Sequence, residues 1–161
     1  MKAYAGIGSR ETPRAVLASM TRIAAQLSGA GYLLRSGGAD GADSAFEAGS
    51  TRSEIYLPWP RFRDHPSPHC NVSQAALNLA AKYHPQWQLL NKHAQLLHGR
   101  NSYQVLGLDL MTKADFIVCW TKGGKGQGGT GQAIRLAQAF GIPVYDLAIW
   151  NEPVLMRKLL G

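Results

Sequence analysis

Short, solid apolar runs alternate along this chain with stretches whose apolar residues recur every three or four positions. Ala3, Tyr4, Ala5 and Ile7 form a first run that stops at Gly8-Ser9-Arg10, which reads as a buried strand entering a turn. Thr12-Pro13 then supplies a helix start, because a proline in the first turn forfeits no helical hydrogen bond. Val16, Leu17, Met20, Ile23, Ala24 and Leu27 follow at helical spacing. Gly29 and Gly31 close that helix, and Tyr32-Leu33-Leu34 begins a second strand leading into the glycine-rich stretch 36–43. Next come a short predicted helix over 43–48, a third strand over 54–57 closed by Pro58, and a loop over 58–72 with four prolines. Ser73 caps a predicted helix to about Tyr83. A second is predicted from Pro85 through Trp87, Leu89, Leu90, Leu96 and Leu97, and a third over 102–112. The run 115–120 is the clearest buried strand. The segment 121–129, with five glycines in nine residues, precedes a predicted helix over 130–140, a last strand over 144–147 and a terminal helix capped by Asn151.

Strands separated by helices predict a parallel sheet, since parallel neighbours need crossover connections. The expected fold class is therefore α/β: a Rossmann-like, doubly wound, mostly parallel five-stranded sheet with helices on both faces. It forms one domain over 1–161, interrupted by a loop and helical insertion over 58–100. At 161 residues and 45% hydrophobic content, such a domain can bury a core unaided, which excludes a disordered chain or a small disulfide scaffold. The 17 basic and 10 acidic side chains give a net charge of +7, which favours an anionic partner. They are spread evenly, so no polybasic arm is dedicated to nucleic acid. Two cysteines build no disulfide framework, and Cys119, inside an apolar run, reads as a buried free thiol suited to a reducing cytosol. No signal-peptide core is present and no segment approaches a membrane-spanning length, so a soluble, cytoplasmic protein with no membrane partner is expected.

In a doubly wound sheet, ligands bind beyond the carboxyl ends of the strands, and three loops arrive there. One holds Gly8, Ser9 and Arg10, the second Ser36, Gly37, Gly38, Asp40 and Asp43, the third Gly128, Gly129, Thr130 and Gly131. Each precedes a helix whose first amides lack intrahelical partners and carry partial positive charge, and glycine lets phosphate oxygens approach those amides. One such loop alone is an ordinary strand-to-helix turn; three together point to a phosphorylated ligand. Gly6-x-Gly8 lacks the third glycine of the dinucleotide fingerprint and no Gly-Lys-Ser/Thr follows any loop, which excludes a standard dinucleotide domain and a P-loop NTPase. No cofactor is expected. All five histidines lie between positions 65 and 98, and His65-x-x-x-His69-Cys70 suggests metal ligands. Its proline-rich setting spoils helical geometry and no further pair completes four ligands, so no metal site is expected. Trp59, between two prolines at a strand end, is the best candidate to stack on a base.

Gly8-Ser9-Arg10, the stretch Ser36-Gly37-Gly38-Ala39-Asp40-Gly41-Ala42-Asp43-x-Ala45 and the turn Gly128-Gly129-Thr130-Gly131-Gln132-Ala133 resemble the SLOG superfamily. That superfamily joins DNA-processing protein A with the Lonely Guy nucleotide-processing enzymes. The resemblance covers the first three strands and the chain from about Leu97 onward, while 58–96 matches neither family. The first two motifs resemble DNA-processing protein A, which implies single-stranded DNA as a partner. Arg100 and Asn101 before a helix, Ala114 to Val118, and the late glycine turn resemble the Lonely Guy enzymes, which hydrolyse the N-glycosidic bond of nucleoside monophosphates. By that resemblance Arg100 is catalytic, but the glutamate expected just after the glycine turn is replaced by Gln132. A neutral amide neither stabilises an oxocarbenium ion nor activates water as a carboxylate does, so Asp40, Asp43 or Asp115 would have to substitute, with Asp43 taken as the catalytic candidate.

Three functions follow as expectations. The first is binding of a nucleotide or nucleotide-derived small molecule, with the loop amides, Arg10 and Arg100 on its phosphate. The second is nucleotide N-glycoside hydrolysis at the same site, and the third is binding of single-stranded DNA as an accessory protein. A homodimer is implied by the resemblance and is compatible with the apolar Leu89, Leu90, Leu96 and Leu97.

Overall fold

The computed structural model describes residues 2–161. Five strands, β1 (Ala3–Gly6), β2 (Leu33–Ser36), β3 (Ser53–Ile55), β4 (Ile117–Cys119) and β5 (Val144–Asp146), form one sheet in the order β3-β2-β1-β4-β5. Every pairing is parallel, with Ala5 opposite Ile117 and Leu34 opposite Ser53. The helices are α1 (Arg14–Gly29), α2 (Ala42–Gly49), α3 (Gln74–Tyr83), α4 (Lys92–Leu106), α5 (Gly128–Ala139) and α6 (Glu152–Leu160). This is the Rossmann-like, doubly wound architecture expected, parallel throughout.

Strand alternation splits the core in two. Tyr4, Phe116 and Val118 face one side, where Met20, Ile23 and Leu27 of α1, Phe46 of α2 and Leu155 of α6 pack against them. Ala5, Ile117 and Cys119 face the other, against Val105 and Leu106 of α4 and Ala133, Leu136 and Ala137 of α5. Burial pushes the Cys119 thiol well above its usual range, consistent with an inert core cysteine.

The middle of the chain differs from the expectation. The segment from Pro85 forms only a 3-10 turn at Trp87–Leu89, and helix α4 begins after Asn91, whose side chain accepts from the Ala94 amide at 2.9 Å. The helix then runs straight through the boundary drawn near residue 100 and ends at Gly107, where φ is +79°. No separate helix exists over 102–112, because Leu110 at φ +59° and a turn closed by the Asp109 carboxylate on Met111 N and Thr112 Oγ1 occupy that stretch. The second half of α4 is a core element of the sheet face, and Leu79 and Tyr83 of α3 pack against that core. Among the described residues no helix is long and apolar enough to cross a membrane.

Candidate functional site

β1 and β4 are the neighbours whose onward connections leave in opposite directions, and a cavity of about 500 Å³ lies beyond their carboxyl ends. Gly8, Ser9 and Arg10 line it from the turn after β1, Ala39 and Asp43 from the entry to α2, and Gly128, Gly129 and Thr130 from the start of α5. Helix α4 contributes Ala94, Leu97, His98, Arg100, Asn101 and Gln104, and the loop after β3 contributes Phe62 and Arg63. The result is a cavity with one apolar flank, of Phe62, Ala94, Leu97 and Ala133, and one flank of polar side chains and loop backbone.

Two of the helices whose first turns line the cavity, α2 and α5, lack side-chain caps. Gly41, which has no side chain, precedes α2, and Gln127, whose side chain does not bond the first turn, precedes α5. Gly128 enters α5 at φ +76°, a conformation that glycine adopts without strain, and a Cβ on Gly128 or Gly129 would meet no atom within 4 Å. These glycines therefore leave space at the helix start, and neither is required to be glycine by a crowding neighbour. The loop itself is anchored at both ends. The Asp146 carboxylate of β5 accepts from the Thr121 amide and hydroxyl, the Thr121 hydroxyl accepts from Gly126 N at 3.0 Å, and Asn101 Nδ2 donates to Gly129 O at 3.2 Å.

Arg10 is exposed at the rim, free of ion pairs among the described residues. Arg100 is different. It is buried, its Nη1 donates to the carbonyls of Gly37 and Tyr56, its Nε donates to Asn101 Oδ1 at 3.2 Å, and its guanidinium lies 5.7 Å from the Phe62 ring centre. Burial lowers its pKa and the Asp43 carboxylate raises it. Much of the arginine fork is thus spent on holding the second loop and the aromatic wall. Asp43 is buried too and accepts from Ala39 N at 3.2 Å. Burial pushes its carboxyl up from 3.8 to about 6 against the opposing pull of Arg100. His98, lining the same cavity, is pushed down to about 4 by burial and by the neighbouring His84, Arg135 and Arg100, and its Nδ1 is buried without a partner.

Several residues expected at the site stand elsewhere. Ser36 is buried and its hydroxyl donates to Gly6 O at 2.6 Å. Gly37 and Gly38 shape the turn behind the cavity: a Cβ on Gly37 would sit 2.5 Å from Arg100 Nη1, and Gly38 holds φ +72° against Leu57. Asp40 points outward to Arg63 at 3.0 Å. A Cβ on Gly131 would lie 2.3 Å from Gly126 O, so that glycine is needed for packing. Gln132 faces away, its Nε2 donating to Ala80 O at 3.0 Å and its Oε1 accepting from Arg135 at 2.9 Å. Trp59 stands one ring behind the cavity, edge-on to Phe62 at 5.3 Å and tilted on His93 at 5.0 Å, so Phe62 is the aromatic face turned to the cavity. His65 bonds Glu47 at 2.8 Å and His69 packs on Tyr56, and among the described residues no three potential ligands gather for a metal. Phe62, His98 and Gln104 are cavity residues absent from the expected set. For His98 and Gln104 the one sequence signal is helical spacing on α4, where Ala94, Leu97, His98, Asn101 and Gln104 share a face; Phe62, in the loop after β3, has none.

The architecture and the loops at the β1–β4 switch point define a Rossmann-like, doubly wound fold. Among solved structures, the chain is similar to DNA processing protein A from Helicobacter pylori, a structure described for its single-stranded DNA binding mode, at TM-score 0.63 and 18% identity over 99% of this chain and 80% of that one. It is also similar to TM1055, a structural genomics target, at TM-score 0.51 and 21% identity over 92% of this chain and 79% of that one. No family model and no curated protein matches the sequence.

Proposed function

We propose that the cavity binds a nucleotide or a nucleotide-derived small molecule. The observation that carries this reading is the meeting of two helix starts without side-chain caps, α2 and α5, at one cavity of about 500 Å³ with the unpaired Arg10 at its rim. Unspent amides and a free guanidinium suit a phosphate, and the apolar flank at Phe62 and Leu97 suits a base. The volume falls within the usual range for small-molecule sites.

Thermal-shift titration against mononucleotides, ADP-ribose, NAD and oligonucleotides tests it, because a ligand of the native state raises the melting temperature by mass action. Saturable stabilisation by a mononucleotide or dinucleotide, with weak dependence on salt, is expected. Affinity that grows with oligonucleotide length and falls steeply with salt replaces it with single-stranded DNA binding, the property described for the Helicobacter pylori neighbour.

One observation favours a catalytic second reading. Asp43, with its carboxyl near pKa 6, lines the cavity together with Arg100, while Gln132 is committed elsewhere. A general base of that pKa is ionised above pH 6, so N-glycoside hydrolysis through Asp43 rises as pH passes 6 and then levels. Chromatography of nucleoside monophosphate incubations for free base and ribose 5-phosphate decides it. Turnover abolished by Asp43→Asn makes the protein a hydrolase, and absence of turnover alongside binding leaves a binding domain.

A further inference from the structure

We infer that Gln104 reads a sugar hydroxyl of the ligand, so that the site selects ribonucleotides over 2′-deoxyribonucleotides; the inference rests on the nucleotide reading above. Gln104 follows Arg100 by one turn of α4, and both side chains abut Gly37, with Gln104 Nε2 and Arg100 Nη1 each 2.5 Å from the point where a Cβ on that glycine would lie. Gln104 is only 2% exposed, it lines the cavity, and its amide has no hydrogen-bond partner among the described residues. The other buried amides nearby are spent: Gln132 bonds Ala80 O and Arg135, and Asn101 bonds Gly129 O and Arg100. Folded chains rarely leave such a group unmatched, and one that touches a cavity is matched by whatever fills the cavity.

The narrow opening chooses the partner. A base edge pairs with an amide through two coplanar contacts, for which a side chain exposed by 2% offers little room. A hydroxyl donates and accepts through one oxygen and satisfies the amide through a single contact. The sugar is also the group next to the phosphate, and the helix starts that suit the phosphate border the same cavity as Gln104. The Asp43 carboxyl, 4% exposed in that cavity, can accept from a second hydroxyl. The 2′-hydroxyl is the feature by which a protein distinguishes RNA-type from DNA-type sugars.

Calorimetric titration of the wild-type protein with ribose 5-phosphate and 2-deoxyribose 5-phosphate, and with the four nucleoside monophosphates and their 2′-deoxy forms, tests the inference. The ribo member of each binding pair is expected to be tighter by about 10- to 100-fold, the range set by leaving a buried amide unmatched. Gln104→Leu, or Gln104→Met should the first variant fold poorly, is expected to bring that ratio below about threefold while affinity for inorganic phosphate holds. Equal wild-type affinity for ribo and deoxy forms, or a preference that survives in a folded Gln104 variant, overturns the assignment and leaves nucleotide binding standing. Failure of every pair to bind overturns the inference, and failure of ADP-ribose and NAD as well overturns the nucleotide reading.

Discussion

Helices α3, α4 and α6 start one way and α2 and α5 another. Ser73, Asn91 and Asn151 each accept a first-turn amide in their helices, at 3.1, 2.9 and 3.3 Å. Gly41 and Gln127 accept none. Helix α1, entered through Pro13, is also uncapped, but its first turn does not line the cavity. A capped start has spent its positive end locally and contributes stability; an uncapped start keeps amides and dipole available for an anion. The chain therefore places ordinary stabilising caps on α3, α4 and α6 and withholds them at α2 and α5.

The contrast breaks most strongly at Gly129. Gly129→Val fills space that no protein atom occupies, so it is expected to weaken binding of a phosphorylated ligand by about 100-fold or more while changing stability by less than about 0.5 kcal/mol. Calorimetry beside a chemical melt reads both, and undiminished affinity in a folded variant removes the phosphate from α5. Gln127→Asp converts an open start into a capped one. It is expected to raise the stability of the unliganded protein by about 1 kcal/mol and to weaken phosphate binding, and a gain in affinity would mean that the amides are not the ligands. Smallest is Ser73→Ala, expected to cost about 1 kcal/mol of stability with no change in affinity; a change in ligand binding would show that α3 communicates with the cavity.

The sheet was legible because apolar residues cluster at its strands, most densely at β1 and β4, and so was the placing of the glycine loops at strand ends. Helix α4 was misread as parts of two helices, and that error hid the site's longest wall. Broken near residue 100, the pattern never shows Ala94, Leu97, His98, Asn101 and Gln104 as one face. Asn91 and Gly107, a cap and a stop 16 positions apart, are the signals that mark the helix whole. Phe62 was not legible at all, since its position depends on a loop conformation that no periodicity encodes. Gln132 shows the converse: its place in the motif was plain, but its direction was decided by Ala80 O and Arg135, 52 and 3 residues away.

That loop conformation has its own consequence. Arg61, Arg63 and Asp64 all hold positive φ, at +62°, +54° and +59°, around Phe62. Each such residue costs about 1 kcal/mol or more, and the arrangement persists because the surroundings over-determine it: Arg63 pairs with Asp40, His65 with Glu47, Ser67 with Ile55 O, and Phe62 leans on Trp59. The expense falls during folding, before any ligand arrives. A ligand of the proposed kind would meet an aromatic wall already set and would lose no free energy to ordering it, leaving fit and desolvation to govern its affinity.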